Sequence, residues 1–176
     1  MSHRNSSYER KALDHYASPT WVTEALLGHI AARPGTLWEP ACGTLDMVKV
    51  LQGEFMVLAT DVESGVDFLQ TTELPNAAIR GICTNPPYSH AAEFCRHALK
   101  LTKPVSGYVA MLLRVDFDSA KTRSDLFADC PAWSKKIVLT KRIVWFVDPE
   151  TGKPKASPSE NHAWHLWSWG HVGPPT

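Results

Sequence analysis

The chain has 176 residues, 18 Lys+Arg against 18 Asp+Glu, and 44% hydrophobic side chains. That suits one ordinary domain with a real core and excludes both wholesale disorder and a uniformly basic nucleic-acid binder. The N-terminus MSHRNSSYERK is polar, and no apolar run reaches the roughly 18 residues of a membrane span, so a soluble, cytoplasmic protein without a membrane partner is expected.

In chain order, residues 1–13 read as a flexible tail preceding a single domain over 14–176. Ser18-Pro19-Thr20 opens TWVTEALLGHIAA, whose Val22, Leu26, Leu27 and Ile30 fall at helical spacing before Arg33-Pro34-Gly35 ends the run. TLWEP reads as a short buried strand closed by Pro40, ACGTLD as a small-residue turn, LDMVKVLQ as a helix, and FMVLAT as a strand ending at Asp61. AAIRGICT is a strand ending at Asn85-Pro86-Pro87-Tyr88, and AAEFCRHALKL an amphipathic helix. GYVAMLLRV is the most apolar strand, followed by a short helix near Ser119–Phe127. KKIVLT, RIVWFV and HAWHLWSW supply late strands around a loop at Thr151–Ser159. Alternating strands and helices predict a doubly wound, Rossmann-like α/β domain with a mostly parallel sheet. The helix-free end predicts an antiparallel edge hairpin.

Charge is uneven along the chain. Residues 1–133 carry 12 basic and 15 acidic side chains, and residues 134–176 carry 6 and 3. The basic, aromatic tail suits either a nucleic-acid surface or a solvated face over a buried strand. Cys42, Cys83, Cys95 and Cys130 form no CxxC pair, so reduced structural thiols are expected. His162 and His165 have no carboxylate or thiol in ligand spacing, and no metal site is expected. The oligomeric state is left open.

In doubly wound sheets the ligand sits beyond the carboxyl ends of the strands. Three marked segments fall at such ends: Glu39-Pro40-Ala41-Cys42-Gly43, Asp61, and Asn85-Pro86-Pro87-Tyr88. Small residues let backbone approach a ligand, and an acidic strand tip can take both hydroxyls of a ribose. Taken alone, Glu39–Gly43 also fits an ordinary strand-to-helix turn. G-x-G-x-x-G is absent, and Glu39 would repel a pyrophosphate. A positively charged nucleoside cofactor fits better, and S-adenosylmethionine, with its sulfonium and ammonium, has the right sign.

Asn85-Pro86-Pro87-Tyr88 is the sharpest signal. Two prolines stiffen the loop and remove two backbone donors. An amide oxygen beside a carbonyl makes two acceptors for one planar NH2 group, and a following ring can stack on a flipped-out base. The alternative is a plain Pro-Pro turn with a surface Tyr. A Pro-Cys nucleophile, which C5-cytosine chemistry needs, is absent, because Cys130-Pro131 runs in the reverse order.

EPACGT, TDVESGVDFL and TNPPY, in this order, resemble the S-adenosylmethionine-dependent amino-methyltransferases that act on adenine N6 in DNA. YASPTWVTEALL resembles their N-terminal cofactor motif. The order is that of the γ-class, and SENHAWHLW resembles a tail segment of the short phage and prophage enzymes. The resemblance covers roughly residues 14–115 and, more loosely, 140–169. It implies a bacterial or phage-encoded DNA adenine-N6 methyltransferase. RNA and protein-glutamine enzymes share the tetrapeptide, so RNA is a possible substrate. A cofactor-binding module without turnover is a further alternative.

The resemblance also implies roles. Tyr16, Ser18, Pro19 and Trp21 would line the methionine side of the cofactor. Glu39, Pro40, Ala41 and Gly43 would form its floor, with Glu39 near the ammonium. Asp61 would hold the ribose, and Val62 would touch the adenine ring. Asp67 would accept from the exocyclic amine and Phe68 would pack beside the ring, although a capping Asp and a core Phe fit equally. Asn85 and the Pro86 carbonyl would bind the target amine, while Pro87 stiffens the loop and Tyr88 stacks on the base. Leu45 stands where the family has the second glycine of Gly-x-Gly, which predicts either crowding of the cofactor or a loop with Leu45 turned into the core. No length remains for a separate target-recognition domain, so relaxed or very short sequence specificity is expected.

Overall fold

A computed structural model describes residues 17–30, 35–145, 148, 150, 151, 153 and 160–176. Tyr16, the 1–13 tail and most of the Thr151–Ser159 loop lie outside the described residues. Three helices, α1 (Thr20–Ile30), α2 (Asp46–Leu51) and α3 (Ala91–Thr102), pack on a six-stranded sheet. Its strands are β1 (Thr36–Glu39), β2 (Val57–Ala59), β3 (Ile79–Thr84), β4 (Tyr108–Arg114), β5 (Trp133–Val138) and β6 (His162–Ser168).

The spatial order is β2-β1-β3-β4-β6-β5. β1 pairs in parallel with both β2 and β3, and β3 with β4. β6 runs antiparallel to both β4 and β5. The expected mostly parallel sheet with an antiparallel edge is therefore present. Chain direction diverges on either side of β1, which makes a crevice beyond the carboxyl ends of β1 and β3.

The uninterrupted apolar run of β4 requires cover on both faces. Val109, Met111 and Leu113 join a core with Trp38, Ile82, Phe94 and Trp167 beneath α3. Tyr108, Ala110 and Leu112 join Val22, Leu26, Met47, Leu51 and Trp164 beneath α1 and α2. Trp164 is fully buried, and its indole N–H donates to the Val22 carbonyl at 2.7 Å, so it is a core aromatic. Gly81 lets β3 sit this deep, because a Cβ there would stand 2.5 Å from the Tyr108 ring and 2.8 Å from Leu37.

Two expectations need correction. Arg142–Trp145 of the RIVWFV run is not a strand, and residues 146 and 147 lie outside the description. Its apolar side chains serve packing instead: Ile143 is buried in the core under α1, and Trp145 meets Tyr88 and His162 edge-on. The short helix after β4 is a pair of 3-10 turns, Phe117–Ser119 and Lys121–Leu126.

Candidate active site

The segment after β1 is laced to the end of β2. The Thr60 N–H donates to the Glu39 carbonyl at 2.9 Å, and the Cys42 N–H to the Thr60 carbonyl at 3.0 Å. Gly43 takes a positive φ of 46° and donates its N–H to Asp61 Oδ2 at 2.9 Å. Asp61 Oδ1 accepts from the Glu63 N–H at 2.9 Å, capping a 3-10 turn over Val62–Ser64. Asp61 is thus the pin that holds the two strand-end loops together. Its carboxylate still has lone pairs for a ligand.

Glu39, the last residue of β1, is buried. Its Oε1 accepts from the Ala41 N–H at 3.2 Å, whereas Oε2 is buried without a partner. Burial raises this carboxyl to about 8. The Thr84 hydroxyl and the Ala41 N–H offset part of the rise, and Asp61 adds to it. The Thr84 hydroxyl closes no hydrogen bond of good geometry. An acceptor is left waiting in the floor of the site.

Asn85 follows β3 directly. Its Nδ2 donates to Ser18 Oγ at 3.3 Å, which ties the tetrapeptide to the segment before α1 across 67 residues. A cavity of about 610 Å³ opens between these loops, within the roughly 300–1,000 Å³ of small-molecule sites. Of the residues singled out by sequence, Ser18, Glu39, Pro40, Ala41, Gly43, Asp61, Val62, Asp67, Phe68, Asn85 and Pro87 line it. Pro19, Trp21, Pro86 and Tyr88 do not. Trp21 packs on the core under α1 with the Lys141 ammonium 5.4 Å from its ring.

Asp67 and Phe68 take the capping and core roles and still reach the cavity. Asp67 Oδ1 accepts from the Leu69 N–H at 3.0 Å as a cap, and Phe68 is a core residue packed edge-on to Trp38, yet both line the cavity. Cys42, Met47, Val66, Leu69, His90 and Phe94 also line it. Cys42, Val66 and Leu69 fall within the EPACGT and TDVESGVDFL segments, whereas no motif marks Met47, His90 or Phe94; Phe94 and Met47 arrive there because their helices pack over the crevice.

Leu45 does neither of the things the sequence suggests. It keeps a left-handed backbone, with φ 65° and ψ 17°, at the start of α2. Its side chain is 43% exposed and does not line the cavity. The turn therefore keeps the shape a glycine would give it, at a cost of roughly 1–2 kcal/mol.

The lining carries Asp46, Asp61 and Asp67, together with Glu39, which an incoming cation would help to ionise, and, among the described residues, no Lys or Arg. Such a field attracts a cation and repels a pyrophosphate. The orphaned Oε2 fits an ammonium, and Val62, Val66, Phe68 and Leu69 offer apolar wall for a planar ring, so these residues fit S-adenosylmethionine. The Cys42 thiol is pushed up by burial and by Asp61 and Glu39, which leaves it a poor nucleophile. Among the described residues no three His, Cys, Asp or Glu side chains are grouped to hold a metal.

No family model and no curated protein matches this sequence. Among solved structures, the methyltransferase subunit of a type I restriction-modification system from Streptococcus thermophilus aligns with it at a TM-score of 0.59 and 13% identity, over 89% of this chain and 45% of that one. The type IIG restriction endonuclease BpuSI aligns at 0.61 and 11% identity, over 92% and 26%. A dimethyladenosine transferase from Plasmodium falciparum aligns at 0.57 and 13% identity, over 88% and 62%. The chain has the Rossmann-like methyltransferase fold. It spans less than two thirds of each of these three proteins. Within that fold, the acidic crevice and the Asn85–Pro87 loop stand at the same carboxyl edge of the sheet. No helix among the described residues is long and apolar enough to cross a membrane.

Proposed function

We propose that this chain transfers a methyl group from S-adenosylmethionine to the exocyclic N6 amine of adenine in DNA. The observation that carries the reading is convergence. An unpartnered buried carboxylate oxygen on Glu39 and the stiff Asn85-Pro86-Pro87 loop meet at one cavity. When bound, S-adenosylmethionine supplies an electrophilic sulfonium methyl. Glu39 holds its ammonium, Asp61 its ribose hydroxyls and Asp67 its adenine amine, while Val62 and Phe68 flank the adenine ring. Ser18 steadies Asn85 through the bond already present.

The Asn85 amide oxygen and the Pro86 carbonyl accept the two N–H bonds of the target amine, which turns the nitrogen lone pair toward the methyl. Tyr88 offers its ring to the base. Alignment is most of the catalysis such a reaction needs, because the electrophile is already activated. The similar structures include a restriction-modification methyltransferase subunit and a dimethyladenosine transferase, which supports this reading.

Calorimetry with S-adenosylmethionine, followed by a tritiated-methyl assay on DNA, RNA and protein lysate in parallel, tests the reading. Label in DNA recovered as N6-methyladenine is the expected result. Label confined to RNA or protein moves the substrate, and binding without transfer to any of them leaves a cofactor-binding module.

A further inference from the structure

Tyr88 is turned away from the cavity and into a cluster of three rings. Its hydroxyl lies 3.0 Å from His162 Nε2, across 74 residues of sequence. The two rings stack, with centroids 5.9 Å apart and planes 27° from parallel. Trp145 closes the cluster edge-on, 6.3 Å from Tyr88 and 5.2 Å from His162. Resting on the amino-methyltransferase reading, we propose that His162 is a positioning residue: it clamps Tyr88, and through it the Asn85-Pro86-Pro87 loop, in the one conformation that receives the acceptor base.

The register supports a rigid clamp. His162 is the first residue of β6 and stands opposite Arg114, at the carboxyl end of β4. Its backbone is therefore anchored in the sheet at the same edge as Asn85. The imidazole is only 2% exposed, and burial together with the Arg114 cation keeps it neutral, its pKa lowered to about 4. A neutral ring has one nitrogen donor and one acceptor, and either tautomer can bond a phenol. His165, three residues on, has no such part. It faces the opposite core among Phe117, Phe127 and Trp133. A half-buried Tyr88 fixed on one side keeps few alternative rotamers, so a base that stacks on it meets a preorganised ring.

Three single variants, one double variant and one spectrum test the clamp. Tyr88→Phe keeps the ring and removes the hydroxyl, His162→Phe keeps a ring and removes the hydrogen-bonding nitrogen, and His162→Gln restores a polar group near the Nε2 position. Each Phe variant should lower kcat about tenfold or more, the scale of a displaced reacting group. The double variant should be no slower than the worse single, and His162→Gln should recover most of the rate. Calorimetric affinity for S-adenosylmethionine should not move, which a general loss of structure would change. In the cofactor-free protein, Tyr88→Phe should shift the His162 imidazole NMR resonances.

A parental kcat in His162→Phe, losses that multiply in the double variant, or unmoved His162 resonances would each overturn the clamp. A parent protein that binds the cofactor but methylates nothing sinks the transfer reading instead, and the His162 resonances then decide the clamp by themselves.

Discussion

In the half of the sheet built from β4, β6 and β5, buried indoles end in hydrogen bonds. Trp164 donates to the Val22 carbonyl and Trp167 to that of Leu126, and the half-buried Trp169 donates to that of Leu99. At the carboxyl ends of β1 and β3, Glu39 Oε2 and the Thr84 hydroxyl are buried with no such bond. A buried polar atom left unmet costs about 1–3 kcal/mol. The fold thus accepts at the crevice what it avoids for these indoles. The histidines of that half behave differently: both ring nitrogens of His165, Nδ1 of His162 and Nε2 of His171 are buried without a hydrogen bond of good geometry.

The sharpest way to break this contrast is Asn85→Ala. Losing an acceptor that orients the nucleophile should raise the barrier by about 3–4 kcal/mol, with cofactor affinity nearly intact. A parental methylation rate in single-turnover assays would remove Asn85 from the chemistry. Asp61→Ala comes next. The ribose bonds proposed for it would be charge-assisted, each worth roughly 1.5–3 kcal/mol, so calorimetric affinity for S-adenosylmethionine should fall tenfold or more. The Gly43 and Glu63 N–H groups also lose their acceptor, so the thermal midpoint should fall with it.

Glu39→Gln tests the waiting acceptor itself. The folded pKa, raised from 4.5 to about 8, gives Glu39 a contribution to stability that is full below pH 4.5 and lost as pH rises through about 8. The variant should therefore be more stable than the cofactor-free parent at pH 8, by roughly 1–3 kcal/mol in urea unfolding, while binding S-adenosylmethionine more weakly. An unchanged affinity would unseat Glu39 as the ammonium site.

His165 gives the opposite pH limb. Burial lowers its pKa from 6.5 to about 4, with Lys136 adding to the effect. The unfolded chain then takes a proton that the folded chain refuses, so stability is full above pH 6.5 and declines as pH falls toward about 4. His165→Phe should flatten that limb by roughly 1–2 kcal/mol at pH 4.5, leaving the His162 share. The smallest effect is expected of Leu45→Gly. Relief of the left-handed backbone, less the entropy a glycine adds to the unfolded chain, should raise stability by at most about 1 kcal/mol. Cofactor affinity should not change, because the side chain lies outside the cavity.

Much of this was legible in the sequence because period and punctuation agreed. Pro19 and the Arg33-Pro34-Gly35 break bracket α1, and the apolar run of β4 could only be a strand covered on both faces. The three cavity segments were visible because each ends a strand with residue types that chemistry needs. What escaped notice depends on three-dimensional packing. The RIVWFV run has strand-like composition, yet Ile143 and Trp145 are drawn to different partners and leave no register for a sheet. Leu45 was unreadable for another reason: a side chain on a left-handed residue can point to solvent while the turn keeps its path. Phe94 and Met47 reach the cavity through helix packing alone, and the pairing of Tyr88 with His162 joins positions that no spacing rule connects.

The bond between Trp164 and the Val22 carbonyl spans 142 residues, and it sets an order of events during synthesis. α1 is made early and packs on β1, β4 and α2, but its bond to the indole of β6 waits for a strand made much later. Until β6 is made, the chain can pair β1, β2, β3 and β4 while the Ser18 end of the crevice still lacks that fastening. Long-range closure of this kind comes late in folding. The Ser18 side of the crevice is therefore closed only when β6 docks, after the parallel strands that precede it in the chain are already available to pair.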